Sequence, residues 1–187
     1  MIKDLIAISI IAWAIEKTAD LIGALLKGAF WLISLPFKLA GALLDNTVFK
    51  APDIEGKVKR VIDGDSIVVA TNEGEKEVRI KGIDAPEYGQ AGHGPAKRAV
   101  ERMALGHPVI LKDGEIDDYG RLVAHVELTS NETNAAVELV EQGVAFPDPR
   151  ETTRKIKAAA KLPKKEKKGV WDGKEPTPWD FREMNGM

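Results

Sequence analysis

The chain has 187 residues, with 27 Lys and Arg against 29 Asp and Glu, three histidines and no cysteine. Without cysteine there is neither a disulfide framework nor a thiolate metal site, and His93, His107 and His125 make no close pair of the kind zinc needs. A net charge of -2 gives no general pull on a polyanion, so any contact with nucleic acid has to be local.

Composition changes near Ala51. Residues 1–50 are dominated by Ile, Leu, Ala, Trp and Phe, and a linker is expected at about 46–54. Within the first part, Ser9, Glu16, Asp20, Lys27, Ser34, Lys38 and Asp45 recur at steps of seven or four, which lines them up on one narrow stripe of a helix. GALL at Gly23–Leu26 recurs at Gly41–Leu44, and Trp13 recurs at Trp31, an offset of about eighteen residues or roughly five helical turns. Pro36 interrupts the later part, so two helices are expected. A helix apolar around most of its circumference needs a non-aqueous surrounding. The uncharged windows Leu5–Ile15 and Gly28–Phe37 are shorter than the roughly 18 residues a clean span requires. An amphipathic or re-entrant membrane anchor is the first expectation; a tilted span, a cleaved leader and a soluble helical bundle are the others. Self-association through these helices fits each of them, since Gly23, Gly28 and Gly41 allow close approach.

Residues 51–187 carry the period of strands. Glu55–Ile62, Asp65–Asn72 and Glu75–Ile83 alternate apolar and polar residues and are split by Asp63-Gly64 and by Asn72-Glu73-Gly74, as in an antiparallel meander. Pro95 opens a helix through AKRAVERMAL, with Ala99, Val100, Met103 and Leu105 as its apolar face. Pro108–Asp113 and Gly120–Leu128 read as two more strands, and Ala135–Gln142 as a helix stopped by Gly143. The expected fold is mainly β with helices (α+β): a five-stranded, OB-type Greek-key barrel plus helices, preceded by the apolar N-terminal segment.

The third strand ends on Asp84-Ala85-Pro86-Glu87, where Pro86 removes a ladder donor and charged groups leave the strand tip. A turn centred in Asn72–Glu75 places Asp65 opposite Gly82, one or two positions from Asp84. Two acids brought together in this way either bind a hard divalent ion through oxygen, for which calcium suits better than zinc, or remain solvated turn acids. Arg79 lies on the same hairpin and Arg121 closes DDYGR at Asp117–Arg121. A metal, two arginines and a spare carboxylate, Glu87, are what phosphodiester hydrolysis requires.

IDGDS at 62–66, VRIKGIDAPE at 78–87, DDYGRLVAHV at 117–126 and ELVEQGVAF at 138–146 stand in one order, followed by KKGVWDGKEPTPWDFR at 167–182. In these motifs the chain resembles the staphylococcal-nuclease-like, or thermonuclease, family over roughly Glu55–Arg182. The resemblance implies an OB-fold nuclease that uses Ca2+ to cut DNA and RNA on the 5′ side of the phosphodiester, leaving 3′-phosphates. It further implies that Asp65, Asp84 and the Ala85 carbonyl hold calcium, Glu87 orients or deprotonates the water, Arg79 and Arg121 hold the phosphate, and Tyr119 flanks the nucleotide. The segment after Ala145 reads FPDPR, without the tyrosines that stack on the base in the family. Positive charge for the substrate is available in Arg154, Lys155, Lys157, Lys161, Lys164, Lys165, Lys167 and Lys168, a run that equally reads as the solvated face of a C-terminal helix.

The expectation is a membrane-associated nuclease whose catalytic domain is extracytoplasmic. The alternative is a nucleic-acid or protein binding module that keeps the OB fold without turnover.

Overall fold

Three strands, β1 (Ile54–Val61), β2 (Ser66–Thr71) and β3 (Gly74–Ile80), form the expected antiparallel meander in the computed structural model, which describes residues 52–187. The readings made for residues 1–50 (the polar stripe, the repeat, the anchor and self-association) lie outside the described residues. Two short strands, β4 (Ile83–Asp84) and later β8 (Phe146–Pro147), pair with each other away from the main sheet. β5 (Pro108–Ile116) pairs with β1 and with β6 (Leu122–Leu128), and β6 then runs parallel to β3. That last pairing closes five strands, in the order β3-β2-β1-β5-β6, into a barrel; β7 (Thr133–Asn134) adds two residues beside β6. Closure leaves the five strands without a free edge along the β3–β6 seam.

The core explains the irregularities. In β1 the buried residues Val58 and Val61 are three apart, which a flat strand cannot bury on one face. The register with β2 slips between Val58 and Arg60, and the extra residue returns Val61 to the interior. Val58, Val61, Ile67, Val69, Val78, Ile80, Leu111, Ala124, Val126 and Leu128 meet inside the barrel as one cluster. Two helices are packed into the same cluster. α1 (His93–Ala104) contributes Ala96, Ala99, Val100 and Ala104, and α2 (Ala135–Gln142) contributes Ala135, Ala136, Leu139 and Val140. The α2 helix has the bounds expected from its sequence. The Asn134 carboxamide accepts from the main-chain N–H groups of Ala136 and Val137, and Gly143 ends the helix at φ 73°.

Three expectations are corrected. The β2–β3 turn is tighter than read, because Thr71 pairs with Gly74 and leaves only Asn72 and Glu73 in the loop. Asp65 therefore stands across from Ile80, whose N–H donates to the Asp65 carbonyl at 2.8 Å, rather than across from Gly82. The run Glu75–Ile83 is not one strand: at Gly82 the backbone takes φ 88°, and the chain turns a corner into β4. On α1, Leu105 sits in the extended cap and is 44% exposed, so Ala96 and Ala104 replace it on the buried face.

Beyond β8 the chain forms α3 (Arg154–Ala159), α4 (Lys161–Lys165), a 3-10 turn at Gly169–Trp171 and α5 (Pro178–Met184). Two short helices thus stand where one C-terminal helix was expected. Among the described residues no helix is long and apolar enough to cross a membrane.

Gly64 marks where the barrel and α1 come closest. A Cβ there would lie 2.6 Å from the methyl carbons of both Ala85 and Ala96. Gly64→Ala is expected to lower stability by about 1–3 kcal/mol, the usual cost of overpacking, read as a lower urea midpoint with unchanged slope. An unchanged midpoint would mean that α1 yields freely at this contact.

Candidate active site

Asp65 precedes β2, Arg79 is the penultimate residue of β3, and Asp84 ends β4. The hairpin and the corner at Gly82 bring the three side chains together. Both carboxylates are buried, with residue exposures of 5% for Asp65 and 1% for Asp84. They share one guanidinium: Arg79 Nη1 donates to Asp65 Oδ1 at 2.9 Å, and Nη2 donates to Asp84 Oδ1 at 3.3 Å. Asp65 Oδ1 also accepts from Ser66 Oγ at 2.9 Å and Oδ2 from the Ala85 N–H at 3.0 Å. The convergence read from the sequence is therefore present, although the register proposed for it is not.

A residue that sequence reasoning left without a role completes the cluster. Arg182 of α5 donates from Nη2 to Asp84 Oδ2 at 2.6 Å and from Nη1 to Asp84 Oδ1 at 3.2 Å, and Nη1 also donates to Glu87 Oε1. Its position follows from how the tail is fastened. Thr177 caps α5 and Pro178 begins it, a start legible in KEPTPWDFR. Phe146 meets Trp171 and Trp179 edge to face, with ring centroids 4.7 and 5.7 Å away. The buried Gln90 bridges the tail and the loop that carries Glu87: its Nε2 donates to the Pro176 carbonyl at 2.8 Å, and its Oε1 accepts from the Glu87 N–H at 2.8 Å.

Arg121 and Tyr119 lie on another wall of the same cleft. It has a volume of about 820 Å³, and Arg79, Glu87, Tyr119, Arg121, Arg150 and Arg182 are among its lining residues. Asp117 holds Arg121, accepting from Nε at 2.9 Å and Nη2 at 2.8 Å, and the guanidinium carbon is 5.4 Å from the Tyr119 ring centre. Tyr119 is 85% exposed. The basic run is elsewhere: none of its eight residues lines the cleft, and all are solvent-exposed on or beside α3 and α4.

Burial pushes the Asp65 carboxyl up to about 7; Arg79 works against this, while Asp63 and Asp84 add to it. Arg182 is raised as well, which for a base favours the charged form; its hydrogen bond to Asp84 is the main cause and Glu87 adds to it, against partial burial. The site thus holds one carboxylate whose charge its own arginines do not fully compensate.

That imbalance tests the fit of a divalent ion. The available donors are carboxylates and main-chain carbonyls, all oxygen, as calcium prefers. Among the described residues no three acid or histidine side chains are grouped to hold an ion, and Arg182 stands on Asp84 and Glu87 where a cation's charge would fall. Asp65, Asp84 and the Ala85 carbonyl fit the ion chemically, with Arg182 as its competitor.

The sign of the Asp65 effect is testable. Because its folded value lies above the ordinary 3.8, stability from the protonated form is present below about pH 4 and is lost as pH rises through 7. Asp65→Asn, which cannot ionise, should gain on the unsubstituted protein by on the order of 1 kcal/mol per pH unit across that interval. Thermal melts in EGTA at pH 4 and pH 8 measure this; an equal difference at the two pH values would assign the Asp65 charge no net cost in the fold.

Comparison with known proteins agrees with this geometry. Residues 77–173, just over half of the chain, match the family model described as staphylococcal nuclease homologue, a span that contains Arg79, Asp84, Glu87 and Arg121. The chain is 29% identical to a micrococcal nuclease of Shigella flexneri over 141 residues, covering 70% of this chain and 81% of that protein. It is 32% identical to a thermonuclease of Staphylococcus intermedius, covering 64% of this chain and 79% of that protein. A thermonuclease of Staphylococcus hyicus is also 32% identical, with 76% of this chain and 86% of that protein covered. With its closed five-stranded barrel, Arg79, Glu87 and Arg121 in one cleft and Asp65 and Asp84 bonded to Arg79 behind it, the chain belongs to the staphylococcal nuclease homologue family.

Proposed function

We propose that this protein is a calcium-dependent phosphodiesterase that cuts DNA and RNA, preferring single-stranded or flexible chains, and leaves 3′-phosphates. The observation that carries the reading is the shared cleft: Arg79, Glu87, Arg121 and Arg182 line it, with Asp65 and Asp84 bonded directly behind Arg79. Its nuclease relatives support the same chemistry. The cleft lining includes six acids, Glu77, Glu87, Glu115, Asp117, Asp118 and Glu151, against four arginines, so an added cation strengthens the hold on a polyanion. Held by Asp65, Asp84 and the Ala85 carbonyl, calcium would supply that charge and stabilise the negative charge that grows on the phosphoryl oxygens.

The chain's own residues do the rest. Glu87 accepts a proton from the water whose oxygen bonds to phosphorus. The P–O5′ bond breaks, the departing 5′-oxygen takes a proton from solvent, and the phosphate stays on the 3′ side. Arg79 and Arg121 present fixed guanidinium forks to the equatorial oxygens as their charge rises. In the resting arrangement Glu87 Oε1 is tied to Arg182, so catalysis requires that contact to open for the carboxylate to reach the water.

Residues 1–50 would hold the enzyme at a membrane with the nuclease domain, residues 51–187, outside the cytoplasm. The apolar, weakly charged composition of this segment supports that reading, and a nonspecific nuclease is hazardous to its own genome. Protease treatment of intact cells should then degrade the nuclease domain; protection until lysis would reverse the assignment. A second reading, a binding module without turnover, draws on Arg182 occupying both Asp84 and Glu87.

Cleavage assays on the full-length chain separate the two. Single-stranded DNA and RNA should be cut with calcium and spared in EGTA, and kcat should fall by about 10²–10⁴-fold in Glu87→Gln, with the fold intact by circular dichroism, and in Arg79→Ala, at a cost in stability as well. Wild-type rates in both variants would overturn the nuclease reading. Arg182→Gln is expected to bind calcium about tenfold more tightly by isothermal titration, because the competing guanidinium is gone; equal or weaker binding would show that Arg182 does not contest the ion's place.

A further inference from the structure

The wall of the cleft formed after β8 has chemistry of its own. The β4–β8 pairing sets Pro147 beside Ile83, and the next residue, Asp148, donates its N–H to the Gly82 carbonyl at 3.0 Å. Asp148 is fully buried, yet its carboxylate serves a residue that is not: the Arg150 side chain is 72% exposed. Asp148 Oδ1 accepts from the Arg150 main-chain N–H at 2.8 Å and from its Nε at 3.2 Å, while Oδ2 accepts from Nη2 at 3.0 Å. Among the described residues Nη1 meets no protein partner, and Arg150 lines the same cleft as Arg79, Glu87 and Arg121.

A pair with one partner this exposed contributes little to stability. What the buried carboxylate does is fix the direction of one guanidinium. Against the upward push of burial, the Arg150 side chain and N–H hold Asp148 below the usual carboxylate range, so the anchor remains charged wherever the enzyme works. An arginine fixed in this way loses little rotamer freedom when it binds a phosphate.

The same segment shows what this wall does not offer. Phe146 is 5% exposed and turned against Trp171 and Trp179, and FPDPR holds no other aromatic residue. A base arriving here finds no ring to stack on; a phosphate finds a guanidinium edge.

We propose that Arg150, fixed by Asp148, is a binding subsite for a phosphodiester next to the scissile one, so that the strand is gripped by its backbone charge on this side. The inference rests on the nuclease reading for its ligand. It makes the site tolerant of base identity and dependent on chain length, since a substrate with a single phosphodiester cannot use the subsite.

Trinucleotides of thymidine test it on the full-length chain. One form has two phosphodiesters; two isomers each replace one of them with an uncharged methylphosphonate and so keep a single cleavable bond. With the unsubstituted enzyme, one isomer should lose about tenfold in kcat/KM relative to the all-phosphate form, mainly through KM. Arg150→Gln should lose a similar factor on the all-phosphate form and nothing more on that isomer. In EGTA, binding of an oligothymidylate eight residues long, followed by fluorescence anisotropy, should show a salt slope smaller by about 0.7 in Arg150→Gln. Lys161→Gln, an equal charge change outside the cleft, should leave the slope unaltered. Losses that simply add on both isomers, or an equal slope change in the two variants, would overturn the subsite. A smaller slope in Arg150→Gln but not in Lys161→Gln, with no cleavage in any protein, would instead sink the nuclease reading and leave Arg150 standing as a phosphate-binding residue.

Discussion

Two buried carboxylates sharing one guanidinium is the interaction on which the site depends. Asp65 and Asp84 come from different strands, and like charges so close would repel strongly in a water-poor setting. Arg79 between them, 2.9 Å from one and 3.3 Å from the other, makes the arrangement tenable. It also ties three backbone features to one another: the end of β3, the corner at Gly82 and the entry to β2. Loss of the guanidinium would leave the buried Asp65 charge uncompensated and Asp84 with Arg182 alone, a structural penalty as well as a chemical one.

From that centre the charge pattern runs outward in alternation. Asp84 is held by Arg79 on one side and Arg182 on the other, and Arg182 passes the contact on to Glu87. The alternation explains why a C-terminal helix belongs to the site at all. The tail is fixed by apolar and amide contacts, through Phe146, Trp171, Trp179 and Gln90, and those contacts deliver one cation to the place where the acids would otherwise be bare. Tail docking and the electrostatics of the cleft are therefore one problem in this fold.

Local periodicity carried the legible part of the structure. Alternation marked the barrel strands, Gly143 marked the end of α2, and the spacing of acids and arginines along β2, β3 and β4 announced a cluster. What pattern could not supply was exact pairing. A turn two residues tighter than read moved Asp65 from Gly82 to Ile80, and the β1 bulge depends on core packing rather than on any residue preference. Arg182 and Arg150 went unassigned for a related reason. Each is one arginine among many charges in its stretch, and its meaning comes from a partner distant in the chain or buried beneath it. The basic run drew attention because its charges are consecutive in sequence, and density in sequence is not position in space.

Every arginine of the cleft is already held by a carboxylate: Arg79 by Asp65 and Asp84, Arg121 by Asp117, Arg150 by Asp148, and Arg182 by Asp84 and Glu87. Such pairing subtracts from the long-range pull on a polyanion, which is consistent with a chain whose net charge is -2. In return the guanidinium groups are set in direction before the ligand arrives, and Arg121 and Arg150, held through Nε and Nη2, turn their Nη1 side to a phosphate at small entropic cost. On the proposed reading, a cleft of this kind would select by where phosphates lie along a strand rather than by how much charge the strand carries. With the aromatic platform folded into the core, that spacing is what remains on the β8 wall for the protein to read.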